Sequence, residues 1–191
     1  MARLILASGS PRRRELLAQI GLPFVVQVRE IDETPQPDEA PADYVRRLAC
    51  GKAAVMAGDH PQDWVLAADT TVTCDGVIFG KPADQAEAMQ MWQQLGGRWH
   101  QVLTGVAVAH QGRYWPQVVC TEVFFKALSA AQMAAYWQSG EPLGKAGGYA
   151  IQGRAAAFIQ EIRGSYSSVV GLPLAETVAL LQQAGFLAEV W

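Results

Sequence analysis

The chain has 191 residues, 50% of them hydrophobic and 17% charged, with a formal net charge of −3. That length suffices for one sizeable domain or two small lobes with a buried core. The slight acidity argues against a nucleic-acid-binding protein, and no apolar stretch approaches the length of a membrane span.

The first element is the apolar run Leu4-Ile5-Leu6-Ala7, read as a short buried strand. It is too short for the apolar centre of a signal peptide, and arginines follow it at once, so a cytoplasmic chain is expected. Ser8-Gly9-Ser10-Pro11-Arg12-Arg13-Arg14 comes next. Ser10 before Pro11 reads as a helix N-cap and first helical position, and Gly21 as the helix end. Three arginines then stand in the first turn, where the helix dipole already presents positive partial charge. Backbone N–H groups, the hydroxyls of Ser8 and Ser10 and the forks of Arg12 and Arg13 suit a phosphate chain. An ordinary N-cap with solvated arginines is the other reading.

Phe24–Val28 reads as a second strand, and residues 29–41 as an acidic, Pro-rich loop. Ala42–Met56 carries helical periodicity. Trp64–Ala68 reads as a buried strand with Asp69-Thr70-Thr71 at its end and Val72-Thr73-Cys74 extending it. Asp75-Gly76 turns a hairpin into Val77–Phe79, and Gly80-Lys81-Pro82 precedes a helix from Ala83 to Leu95. Strands follow at Arg98–Ala109 and Tyr114–Leu128, joined by a turn. Ser129 caps a helix to Gln138; Ser139–Gly153 is a Gly-rich functional or mobile loop; Ala155–Ile162 is a strand; Pro173 opens the last helix. Alternating elements joined partly by hairpins predict an α/β (α+β) fold with a mixed sheet.

Asp69 is the strongest catalytic candidate, because open α/β sheets bind ligands at carboxyl ends of strands. It could hold a divalent metal or activate water, or merely cap a turn. Glu33, beside Asp32, could supply a second oxygen ligand or belong to a solvated acidic loop. Lys52 and Lys81 could serve phosphate as point charges or simply be exposed. Gly80-Lys81 lacks the upstream glycine spacing of a Walker loop. Gln152 could read a base edge, since an amide donates and accepts together. Cys50, Cys74 and Cys120 read as reduced thiols, not a disulfide set or zinc site, and the three histidines do not cluster.

Taken in order, these segments resemble the Maf family of nucleotide pyrophosphatases. The resemblance rests on Leu4–Arg13, Asp32-Glu33, Arg47-Leu48-Ala49 with Lys52-Ala53, Ala68-Asp69-Thr70 and Gly80-Lys81-Pro82, then Lys145–Gly153 and Val169–Pro173. It implies a single elongated domain over 1–191, inosine-triphosphatase-like, with a mixed twisted sheet flanked by helices. Two lobes around a central cleft are the variant of that arrangement. It implies hydrolysis of a nucleoside triphosphate between the α and β phosphates, a Mg²⁺ or Mn²⁺ cofactor and a homodimer. By resemblance the catalytic aspartate is Asp69 and the metal-linked residues are Glu33 and Asp69. Ser8, Ser10, Arg12, Arg13, Lys52 and Lys81 fall on the substrate-binding positions. Arg12, Thr70 and Gln152 resemble the branch acting on dTTP and UTP. Gly144 departs from the family, where an aspartate is common.

A second function class is a nucleotide-binding regulator of cell division with vestigial hydrolysis. The acidic pair Glu33 and Asp69 argues against it, because a mere binder needs cations more than carboxylates. Because Arg12 and Arg13 crowd a helix N-terminus, removing Arg13 is expected to cost nucleotide binding and no stability.

Overall fold

The computed structural model describes residues 2–188; Met1 and the last three residues of the predicted 1–191 domain lie outside the described residues. Seven strands form one mixed sheet. They are β1 (Leu4–Ala7), β2 (Val25–Gln27), β3 (Trp64–Cys74), β4 (Val77–Phe79), β5 (Arg98–His110), β6 (Arg113–Phe125) and β7 (Ile159–Arg163). The helices are α1 (Pro11–Gln19), α2 (Pro41–Asp59), α3 (Gln85–Leu95), α4 (Ala130–Gln138), α5 (Tyr166–Val170) and α6 (Leu174–Gln183). The sheet order is β2-β1-β3-β5-β6-β7, with β4 pairing β3. β1 runs parallel to β2 and β3, whereas β4 runs antiparallel to β3 and β7 to β6. The α/β expectation with a mixed sheet therefore holds.

Local chemistry explains most element ends. Asp75 and Gly76 both take positive φ (52° and 80°), as do Gln111 and Gly112 (48° and 76°), which gives the two tight hairpins. Ser129 and Gln132 form a reciprocal capping box at α4.

The chain divides into two compact units. The first comprises residues up to Asp69, Thr104–Val119 and the chain from Gly171 onward. Its small-residue core joins Ile5 and Ala7 of β1, Ala49, Ala53 and Met56 of α2, Val65 and Ala67 of β3, and Ala107 and Ala109 of β5. Small residues let α2 lie close on the sheet. At Gly105 of β5 any Cβ would collide with the backbone of Val45 in α2.

The second unit comprises Thr70–Leu103 and Cys120–Val170. Its core is aromatic: Trp92 of α3, Phe125 of β6, Tyr136 of α4 and Tyr149 pack with Val72, Val102 and Val123. Trp92 and Tyr136 meet at 5.2 Å, and Phe125 and Tyr149 at 5.3 Å, in tilted pairs.

Two expectations are corrected. Asp69-Thr70-Thr71 is not a strand end, because β3 runs unbroken from Trp64 to Cys74. Partner strands change around it instead: β1 pairs Trp64–Leu66 and β4 pairs Val72–Cys74. Ala155 does not begin a strand. Residues Arg154–Ala157 form a 3₁₀ turn and β7 starts only at Ile159, because the Glu141 carboxylate takes the N–H groups of Arg154 and Ala155. Within Ser139–Gly153, Pro142 and Gly147–Ile151 are buried. Tyr166–Val170 is a short helix that Ser165 starts by accepting from the Ser168 N–H at 3.2 Å.

Candidate active site

β1 ends in the buried Ser8, whose Oγ accepts from the Ser10 N–H at 3.2 Å. Ser10 then caps α1 by accepting from the Arg13 N–H at 3.5 Å, with Pro11 in the first helical position. The first turn holds no acidic residue, so Arg12 and Arg13 stand against the helix dipole as the sequence implied. Arg13 is nevertheless tied into the fold. Its Nε donates to the Gly171 carbonyl at 2.8 Å and its terminal nitrogen to Ser8 Oγ at 3.3 Å. The expectation that Arg13 carries no structural load is therefore corrected. Burial lowers the Arg13 pKa from its ordinary value, Asp69 and Glu33 oppose that shift, and Arg12 adds to it. Burial likewise lowers Arg12.

Lys52 projects from α2 onto both predicted carboxylates. Its Nζ lies 2.7 Å from Asp69 Oδ1 and 2.7 Å from Glu33 Oε1. The Lys52 and Asp69 side chains are only 14% and 12% exposed, whereas Glu33 is 47% exposed, so the cluster opens to solvent on the Glu33 side.

The loop carrying Glu33 is held by residues that sequence reasoning did not assign to the site. Tyr44 donates its hydroxyl to the Glu33 carbonyl at 3.0 Å. Arg47 donates to the Thr34 carbonyl at 3.1 Å and forks onto Glu39 at 2.6 and 2.7 Å. The Arg47 guanidinium also lies 5.6 Å from the Tyr44 ring centroid. Asp32 turns inward on its own loop, accepting from the Thr34 N–H at 2.9 Å. The signal was present: Tyr44 and Arg47 are one turn apart on α2, on the helix that carries Lys52.

The other predicted residues lie in the second unit. Thr70 follows Asp69 along β3 and is half-buried. Lys81 and Gln152 are exposed. Their segments are joined: the Gly147 N–H donates to the Gly80 carbonyl at 2.9 Å, and the Gly147 carbonyl accepts from the Trp92 indole at 3.2 Å.

Could these residues hold a divalent cation? Among the described residues no group of three or more His, Cys, Asp or Glu comes together. Glu33 and Asp69, however, meet at one ammonium, which sets two hard oxygen donors side by side. Two carboxylates fit an ion of the Mg²⁺ type, which keeps several waters and takes phosphate oxygens as its remaining ligands.

The Maf-like protein profile matches residues 3–184. The chain belongs to the Maf family. A dTTP/UTP pyrophosphatase of Myxococcus xanthus strain DK1622 is 56% identical over 183 residues, covering 95% of this chain and 92% of that protein. A dTTP/UTP pyrophosphatase of Hahella chejuensis is 48% identical over 192 residues, covering 99% and 94%. Among solved structures, a nucleoside-triphosphatase / dITP/XTP pyrophosphatase from Mycobacterium abscessus is 16% identical with a TM-score of 0.46, covering 66% of this chain and 76% of that one. That likeness is too distant to bear on the chemistry.

Proposed function

We propose that this Maf protein hydrolyses dTTP and UTP to the monophosphate and pyrophosphate, with Mg²⁺ or Mn²⁺. The observation that carries the reading is the meeting of Glu33, Lys52 and Asp69 at 2.7 Å contacts in the unit that also holds Ser8, Ser10, Arg12 and Arg13. The naming of close relatives as dTTP/UTP pyrophosphatases supports the substrate class.

The chemistry follows from charge. A triphosphate brings several negative charges, and phosphoryl transfer is governed by positioning and neutralisation. Arg12 and Arg13, with the N-terminal amides of α1, supply cations and N–H donors for phosphate oxygens. Lys52 and Lys81 add point charges. Glu33 and Asp69 would hold the divalent cation, which when bound supplies charge neutralisation at the phosphate oxygens and a more acidic water. Asp69 also accepts the proton of the attacking water. The water oxygen bonds to the α phosphorus as the bond from that phosphorus to its bridging oxygen breaks, and the bridging oxygen leaves with the pyrophosphate.

Gln152 and Thr70, both in the second unit, select the base. A pyrimidine with O4 and N3–H presents an acceptor beside a donor, which one amide matches; cytosine reverses the pattern. The regulator reading needs no carboxylate pair, and the pair is present around one lysine.

The test is a panel of canonical and modified triphosphates assayed for pyrophosphate release with Mg²⁺, Mn²⁺ or EDTA. Release from dTTP and UTP ahead of the rest supports the reading. Tight nucleotide binding without release in any metal would support the regulator.

A further inference from the structure

Gln152 is exposed, yet the backbone on both sides of it is fixed by a single partly buried arrangement. Glu141 follows α4. Its Oε2 accepts from the Arg154 N–H at 2.7 Å, and its Oε1 from the Ala155 N–H at 3.2 Å and the Tyr136 hydroxyl at 2.7 Å. The Tyr136 oxygen in turn accepts from the Ala150 N–H at 3.3 Å. The carboxylate and the phenol thus grip the chain two residues before Gln152 and two residues after it. Between those grips the Gly153 N–H closes onto the Ala150 carbonyl at 3.0 Å.

The sequence is shaped around the clamp. A Cβ at residue 153 would collide with the Glu141 carboxylate, so any larger residue there would push the carboxylate out of its place. Tyr136 is 3% exposed and is wedged against Trp92 and Phe158, with ring centroids 5.2 and 5.3 Å away. Three donors meet the two Glu141 oxygens. A carboxylate is the one side chain that offers acceptors on both tips. A glutamine would aim an NH₂ donor at an N–H donor on one arm.

We propose that Glu141, braced by Tyr136, is a positioning residue for base selection: it sets the direction of the Gln152 amide by fixing the backbone around it. The inference rests on the reading of Gln152 as the residue that meets the pyrimidine edge. A side chain carried on a pre-fixed support loses less freedom on binding, and a misdirected one leaves polar groups unpaired. Glu141 does not touch the reacting phosphates.

The experiment compares kcat and KM for UTP and CTP in the wild type, Gln152→Glu, Glu141→Gln and Tyr136→Phe. Loss of positioning acts on base contacts made equally in the ground and transition states, so KM rises and kcat holds. In Glu141→Gln the UTP-over-CTP ratio of kcat/KM should fall about tenfold through the KM for UTP. Tyr136→Phe, which removes one hydroxyl from a retained ring, should lower the ratio about threefold. A merely structural role would cut kcat alike for both nucleotides and leave the ratio unchanged. A wild type that prefers UTP, loses that preference in Gln152→Glu and keeps it in Glu141→Gln overturns the inference alone. A wild type without preference overturns the reading of Gln152 and the inference with it. Should Glu141→Gln fail to fold, an unchanged ratio in Tyr136→Phe overturns the inference.

Discussion

Lys52 Nζ lies 2.7 Å from Asp69 Oδ1, with both side chains nearly buried. The same ammonium reaches Glu33, which is half open to solvent. One cation on α2 thus draws together a carboxylate of β3 and one of the loop that precedes α2. A divalent ion entering from the Glu33 side would find its oxygen donors already adjacent.

Asp69→Asn tests that arrangement. The substitution keeps shape and removes the charge inside β3. Turnover should fall at least about a hundredfold, the scale of a lost general base. Circular dichroism should stay that of a folded protein. Near wild-type turnover in a folded variant would refute the role of Asp69.

Removal of metal should act in the same direction. With EDTA in excess, pyrophosphate release should cease, and Mg²⁺ or Mn²⁺ should restore it. Undiminished release in EDTA would refute the proposed role of Glu33 and Asp69 as ligands.

Arg13→Ala should now carry two costs. Nucleotide binding should weaken strongly. The apo protein should also lose about 1–3 kcal/mol, because the hydrogen bonds to Gly171 and Ser8 disappear with the guanidinium. Denaturant unfolding of the apo form checks this; unchanged stability would return Arg13 to a purely ligand-directed role.

The differences between reading and structure have physical causes. Ser10 before Pro11, Asp75-Gly76 and Ser129 with Gln132 announce themselves because their chemistry is local. The extension Val72–Cys74 and its hairpin partner are legible, but the apolar run stops at Ala68, which makes Asp69 read as an end and not as an interior position of β3. The strand expected at Ala155 fails for a non-local reason: Glu141, fourteen residues away, captures the amides a ladder would need. Glu33, Lys52 and Asp69 were each legible as candidates. Their meeting was legible only through the family resemblance.

Arg47→Ala tests the loop that carries Glu33. Arg47 holds the Glu39 carboxyl down at about 2 and pins the Thr34 carbonyl. Releasing both should raise the Mg²⁺ concentration needed for half-maximal turnover, by about tenfold on the scale of lost outer support for a ligand. An unchanged metal requirement would separate Arg47 from the site.

Stability should depend on pH through His100. Burial lowers its imidazole from an ordinary 6.5 to about 4, and its Nε2 meets the Tyr149 hydroxyl at 2.6 Å. The unfolded chain therefore takes up this proton first as pH falls. The contribution is whole above pH 6.5 and drains as pH falls toward about 4, on the order of 3 kcal/mol. Thermal unfolding from pH 7 to 5 should show a falling Tm in the wild type and a flatter profile in His100→Gln. Equal slopes would place the titration elsewhere.

The most direct test of the central claim is pyrophosphate release from dTTP and UTP by the purified chain in Mg²⁺ or Mn²⁺. The account predicts release from both, about ten- to a hundredfold faster in kcat/KM than from CTP, ATP or GTP. A folded, metal-supplied protein that releases no pyrophosphate from either would contradict it.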